Sequence, residues 1–211
     1  MDLQVLPLFS FPLAVFDVEE SFQNIMDSID EMEFTNTTSS DENSVKNNYH
    51  TTDGKILESF PIQKNIILEY FYFYKNEVLG LTTTDFTITT SWITKTEPGG
   101  YAHRHSHTNC AYSGIFYFDS CEGGEIQFTN PFPNTFEFDC YGESNIFNSH
   151  VFSVKPEKNK LIFFPSQLSH KVCKNLSENV RYSLPFNIFP TGGFGNSDSS
   201  INIRVCELDN F

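Results

Sequence analysis

Hydrophobic spacing along the chain changes near residue 84. Before that point apolar residues recur at helical intervals; after it they alternate with polar ones. Val18, Phe22, Ile25, Ile29 and Met32 follow a 3.6-residue repeat and predict a helix over 17–32. Asp17, with Glu20 three residues on, resembles a capping box at its start. Residues 34–58 are rich in Thr, Asn, Ser and Asp and read as a long polar connection. A second helix is predicted after Pro61, over 62–79. Ile67, Phe71, Tyr74 and Val78 form its stripe, and Gly80 stands where a stop belongs. Both helices are expected to pack outside a sheet, with their aromatics in the core.

From residue 84 the segments read as strands. TDFTITTSWITKT alternates and is rich in β-branched residues. The histidine-bearing stretch follows, then SGIFYF, GEIQFTN, HVFSVKP, KLIFFP, SHKVCKN, VRYSLPFNIF and INIRVCEL, with Gly, Pro and Asn in nearly every gap. Many short, closely spaced strands predict a sandwich or barrel, and a jelly roll fits the count. The expected organisation is one domain, 1–211, mainly β with flanking helices. Residues 1–83 would be helical support and 84–211 the core. The stretch 133–149 reads as a loop over one mouth of the barrel, and TGGFGNSDSS as a flexible polar turn before the last strand.

Composition narrows the function. The 211 residues suit a single domain, and the formal net charge of −14 argues against a nucleic-acid backbone or an anionic membrane as partner. The start of the chain has no positive n-region, and no apolar run approaches a membrane span. Five cysteines, an odd number with no C-x-x-C, suit reduced thiols in a cytoplasm. Cys110 reads as a small buried hydrophobe, with a metal thiolate as its alternative.

The chemistry concentrates in two places. His103, His105 and His107 alternate in YAHRHSHTN, so on a strand they share a face. His170 follows about sixty residues later in FFPSQLSHKV. A close His pair with a distant His grips a metal and leaves one side open, close to the facial triad of non-heme iron oxygenases. A surface histidine run without metal is the bland alternative. Arg181 comes one hairpin after His170, and Ser183 shares its face. An arginine pointing into a small barrel needs an anionic partner, and its planar fork suits a carboxylate. A structural salt bridge to an internal acid would serve equally. Asn187 continues the alternation and either lines the site or is satisfied locally.

Taken in order, these blocks resemble the 2-oxoglutarate/Fe(II)-dependent dioxygenases, in the group met in marine bacteria and their phages. The resemblance runs through LFSFPLAVF, ITTSWITK, the H-x-H element before SGIFY, GGEIQFTNP, KNKLIFFPSQLSH and RYSLPFN, followed by a Gly-rich turn. It covers nearly the whole chain beyond 34–58. It implies a double-stranded β-helix (jelly-roll, cupin-like) core that binds Fe(II), 2-oxoglutarate and O2. It implies His105, His107 and His170 as iron ligands, since the family's pair stands five residues before its Ser-Gly and residues 108–112 form that gap here. It implies that Arg181 and Ser183, with Asn187 beside them, hold the cosubstrate.

The resemblance also implies a substrate, either a protein side chain such as prolyl or a small metabolite, that is hydroxylated with release of succinate and carbon dioxide. A cytoplasmic protein is expected, in a host cytoplasm if phage-encoded, and a homodimer stays open. The usual aspartate of the pair is a histidine, so the site keeps a charge of about +2 rather than about +1. Asp119 and Glu125 follow the next strand and are not expected to ligate. Tyr101 and Tyr112 fall near the expected mouth, as substrate contacts or as rim packing. Two rivals remain: a three-histidine dioxygenase that does not use 2-oxoglutarate, and a metal-binding jelly roll without turnover.

Overall fold

Alternation in SGIFY places Ile115 and Tyr117 on one face of a strand and Gly114 and Phe116 on the other. All four are buried. KLIFFP repeats the pattern, with Leu161 and Phe163 against Ile162 and Phe164. Strands apolar on both faces need cover on both sides, and the fold provides it. A computed structural model describes residues 2–7, 10–36, 47–81, 83–132 and 145–206.

Nine strands form the larger sheet: β1 (Ala14–Asp17), β2 (Phe34–Asn36), β3 (Asn48–Thr51), β4 (Asp85–Ser91), β5 (Thr94–Thr96), β7 (Tyr112–Tyr117), β10 (Lys160–Pro165), β12 (Arg181–Phe194) and β13 (Ile201–Ile203). Its order is β1-β10-β7-β12-β5-β3-β2, with β4 and β13 also on β12. The smaller sheet contains β6 (Ala102–His105), β8 (Ile126–Thr129), β9 (Val151–Val154) and β11 (His170–Val172), in the order β6-β11-β8-β9. Every paired strand is antiparallel. One core lies between the sheets and holds Ile115, Tyr117, Ile126, Phe128, Ile162 and Phe164. The other joins the outer face of the larger sheet to α1 (Gln23–Asp27) and α2 (Pro61–Glu77), through Phe22, Ile25, Ile67, Phe71, Phe163 and Phe186. This is the expected jelly roll with helices outside.

Helix α2 matches its prediction, with Pro61 in its first turn. Val78, expected in the stripe, is 60% exposed; Gln63 and Lys75 are buried instead. The buried ammonium of Lys75 donates to the Thr84 carbonyl at 2.8 Å. The predicted helix over 17–32 shrinks to α1 and a short 3-10 turn, Ile29–Glu31. Asp17 caps nothing: it ends β1, opposite Lys160, whose ammonium it meets at 2.7 Å. The backbone before Val18 bonds to the edge of β10, and sheet pairing overrides the helical repeat.

The polar connection over 34–58 supplies two strands, β2 and β3, and a 3-10 turn, Ile56–Glu58. The first 83 residues are therefore part of the larger sheet as well as its helical cover. In the tail, residues 191–194 extend β12 and a turn leads to β13. Of the loop expected over 133–149, residues 133–144 lie outside the described residues.

Gly114 lets β7 and β12 close up over the helix-side core. A Cβ there would enter the Phe186 ring and stand 2.7 Å from the Ile162 carbonyl oxygen. Gly114→Ala is expected to destabilise the fold by about 1–3 kcal/mol, as overpacking does. Urea unfolding measures it, and an unchanged midpoint would show that the ring moves aside freely.

Candidate metal and cosubstrate site

On β12 the outward positions are apolar, Leu184 and Phe186, while the inward ones are Arg181, Ser183 and Pro185. Strand register extends this inward face into two polar rows. Tyr117, Ser183, Thr94 and His50 stand directly opposite one another on β7, β12, β5 and β3. Arg181, Thr96 and Asn48 form the second row. The second row is hydrogen-bonded: Arg181 Nη2 donates to Thr96 Oγ1 at 3.1 Å, and Thr96 Oγ1 donates to Asn48 Oδ1 at 2.8 Å.

The smaller sheet faces these rows with imidazoles. His105 and His170 are cross-strand partners on β6 and β11. His107 follows β6, fixed by its backbone N–H, which donates to the Ser166 carbonyl at 3.0 Å. The ring centroids lie 4.4 Å apart for His105–His170, 5.1 Å for His105–His107 and 5.2 Å for His107–His170. One nitrogen from each ring falls within 4.8 Å of the other two. Ligands about 2.1 Å from one ion and at right angles lie about 3.0 Å apart, so side-chain rotations closing up to about 1.8 Å would bring the three onto one ion. The Nδ1 atoms of His105 and His170 each lie 2.8 Å from a carbonyl oxygen, of His103 and Leu168 respectively. A donating Nδ1–H in that place leaves Nε2 with its lone pair for a metal. His103 joins no such group, and neither does Cys110, whose thiol donates to the Thr108 carbonyl at 3.4 Å. Among the described residues no carboxylate joins the three histidines.

Both sheets line one cavity of about 350 Å³, which includes His105, His107, His170, Arg181 and Ser183. Arg181 is 1% exposed. Its Nη1 donates to the Gly124 carbonyl at 2.8 Å, while its Nε is buried without a partner. Among the described residues it makes no ion pair, so the salt bridge that the sequence left open is absent there. The Tyr117 ring lies 5.6 Å from the guanidinium carbon, and its buried hydroxyl also lacks a partner. Burial pushes the Tyr117 phenol up to about 12, with the Arg181 charge opposing, so it stays a donor.

Two buried donors without partners, on and beside an unpaired cation, fit an anionic ligand with acceptor oxygens. Three imidazoles fit a divalent iron on the facing wall. The donor set therefore suits both groups.

Burial pulls His107 down to about 4, with His105 adding to the effect. Burial pulls His170 down to about 3, against the hydrogen bond to Leu168, which raises it. Both rings are thus neutral and ready to ligate well below the ordinary imidazole range. In the metal-free protein the unfolded chain binds these two protons from about pH 6.5 downward, while the folded chain binds them only near 4 and 3. Stability should therefore fall as pH drops below about 6.5, by up to about 1.4 kcal/mol per pH unit for His170 and less for the more exposed His107. Urea titrations between pH 7 and 4.5 measure this, and a flat profile would contradict it. Metal affinity, as far as these two rings set it, should hold to a lower pH than free imidazole allows.

Asn187, expected in the site, is a brace beyond its rim. Its Oδ1 accepts from Ser113 Oγ at 2.8 Å and its Nδ2 donates to Thr90 Oγ1 at 2.9 Å. Ser113 also bonds Ser166, the residue that holds the His107 backbone. A register shift after Asn187 accompanies its departure from the lining. Tyr112 packs against Phe71, Tyr74 and Phe86 in the helix-side core, away from the mouth. Tyr101 stacks edge-on to His103 at 5.2 Å. Sequence reasoning missed Asn48, His50, Trp92, Thr94, Thr96 and Tyr117. The Thr94–Thr96 alternation was a visible signal; NYHT, four residues in a polar run, was not.

Residues 90–187 match the sequence family described as "Putative 2OG-Fe(II) oxygenase". The matched stretch is similar to the 2OG-Fe(II) oxygenases. It carries the three clustered histidines together with Arg181 and Ser183. No curated protein matches the chain in sequence.

Solved structures share its fold at low identity. A prolyl-4-hydroxylase from Pseudomonas putida aligns with a TM-score of 0.54 at 12% identity, covering 85% of this chain and 93% of that one. A prolyl hydroxylase from Trichoplax adhaerens, in complex with a hypoxia inducible factor peptide fragment, aligns at 0.57 and 16%, covering 84% and 83%. HygX from Streptomyces hygroscopicus, with nickel and 2-oxoglutarate bound, aligns at 0.56 and 10%, covering 86% and 84%. These likenesses place the chain in the double-stranded β-helix fold. No helix among the described residues is long and apolar enough to cross a membrane.

Proposed function

We propose that the chain is a 2-oxoglutarate- and Fe(II)-dependent dioxygenase that hydroxylates its substrate. His105, His107 and His170 hold the iron. Arg181, Ser183 and Tyr117 hold the far carboxylate of 2-oxoglutarate. The observation that carries the reading is Arg181, a buried guanidinium without a counter-ion among the described residues, in the same cavity as three converging imidazoles. Bound there, iron and 2-oxoglutarate supply the oxidation of a substrate by O2, with release of succinate and carbon dioxide. The chain's part is positioning. β6 and β11 set the Nδ1 atoms of His105 and His170 against carbonyl oxygens, β12 aims the guanidinium, and Tyr117 adds a neutral donor. Phe164, Ile115, Ile126 and Val172 on the walls keep water away.

The cytoplasm is the compartment this reading favours, supported by four free cysteines among the described residues. The substrate is a protein side chain or a small molecule. Anaerobic calorimetry of the Mn(II)-loaded protein with 2-oxoglutarate tests the reading: saturable micromolar binding is expected, and succinate should form with iron and air. No binding at millimolar 2-oxoglutarate would leave a metal-binding jelly roll. Oxygen consumption without succinate would favour the three-histidine enzyme that dispenses with it.

A further inference from the structure

The polar row of the larger sheet runs past the cosubstrate end. Ser183 and Tyr117 stand on β12 and β7, and the same row continues through Thr94 to His50 on β3. Two strand spacings put His50 about 10 Å beyond Ser183. Its ring lines the cavity, yet its Nδ1 is buried and meets no hydrogen-bond partner among the described residues. Buried polar atoms are nearly always paired, and an orphaned one calls for a partner or an explanation. The orphans of Arg181 and Tyr117 are accounted for by 2-oxoglutarate. His50 stands on the far side of Thr94, so its partner is a different molecule.

The chemistry of that molecule is constrained. Burial lowers the pKa of His50, so its ring is neutral at neutral pH and offers one donor and one acceptor. Among the described residues no Asp or Glu lines the cavity, although the chain has 27 of them and a net charge of −14. An ammonium or guanidinium group entering there would meet Arg181 and, among the described lining residues, no counter-charge. An acyl oxygen would meet none of that opposition.

We infer that His50 determines substrate specificity, hydrogen-bonding a carboxylate or carboxamide of the primary substrate where no carboxylate among the described lining residues could receive an organic cation. The inference rests on the proposed function and names the substrate class for that site. Apolar walls at Trp92 and Pro185 suit the carbon skeleton behind such a group.

The test uses isosteric probes on the full chain loaded with Mn(II) and 2-oxoglutarate, without oxygen. Propionate, propionamide and propylamine are titrated, and paramagnetic relaxation of their methyl protons reports approach to the metal. Propionate and propionamide should show saturable relaxation, and propylamine none. His50→Phe keeps the ring and removes the nitrogens. It should weaken both acyl probes at least fivefold, leave 2-oxoglutarate affinity within twofold, and leave the thermal midpoint unchanged or higher. His50→Gln should recover most of the probe affinity.

The inference is overturned if propylamine binds as well as propionamide, if no probe binds the wild type, or if His50→Phe binds the probes normally. A His50→Phe protein that loses 2-oxoglutarate together with the probes would place His50 in the cosubstrate clamp and overturn it too. A wild type that binds no 2-oxoglutarate fails in calorimetry before any probe is added, and that result removes the functional reading itself.

Discussion

Arg181→Lys weakens 2-oxoglutarate binding tenfold or more and leaves metal binding in place. The guanidinium spends Nη1 on the Gly124 carbonyl and Nη2 on Thr96, and keeps Nε for a ligand. A lysine ammonium is a point charge with no fork; it cannot serve two walls and an anion at once. Hydrogen bonds to charged groups contribute roughly 1.5–3 kcal/mol, and about 1.4 kcal/mol is tenfold in affinity. The pocket has no slack to compensate: a Cβ on Gly124 would stand 2.8 Å from Nη1 and 2.9 Å from Cys121 Sγ. Calorimetry on the Mn(II) form reads the cosubstrate, and elemental analysis reads the metal. Equal affinity in the variant would move the clamp elsewhere and leave the enzyme class standing.

His170→Ala reduces bound metal from stoichiometric to background. His170 is the most enclosed of the three imidazoles, 3% exposed, with its ring centroid 5.0 Å from Phe164 and 5.7 Å from Phe128. Packing and the Leu168 carbonyl hold it in one orientation, so no neighbouring side chain substitutes for it. His103→Ala should retain the metal, since His103 stands outside the cluster. Unchanged stoichiometry and affinity in His170→Ala would sink the ligand assignment. Loss in His103→Ala with retention in His107→Ala would shift the pair one step upstream.

Much of this site could be read from the sequence, because its chemistry lies on strands and strands alternate. His105 and His107 share a parity, as do Arg181 and Ser183; the expected hairpin from His170 to Arg181 is instead a crossing between sheets, since β11 lies in the smaller sheet and β12 in the larger. What alternation does not give is partnership across a sheet. Asn187 has the right parity, yet a register shift and the Ser113–Ser166 hydroxyls draw it into bracing the His107 segment. Tyr117 looked like one more core aromatic, and only its hydroxyl without a partner distinguishes it. His50 and Asn48 were hidden in a run of Asn, Ser and Thr. They become cavity walls because β3 docks on β5, a contact spanning more than forty residues of chain. The helix predicted over 17–32 failed for a related reason: β1 is a strand because β10 offers an open edge, not because its own residues demand one.

β12 sits in the middle of the larger sheet, between the β1-β10-β7 half and the β5-β3-β2 half, and is the second-to-last strand described. Until it inserts, those two halves share no backbone hydrogen bonds. The stretch that joins them is therefore made after every strand of either half. Such non-local closure makes for slow folding, on the millisecond-to-second side of the range for small domains. A chain stopped short of residue 181 presents all three imidazoles without the guanidinium that faces them. On the proposed assignment, the residues for iron and the residue for 2-oxoglutarate thus emerge at different moments of the protein's synthesis, Arg181 the later.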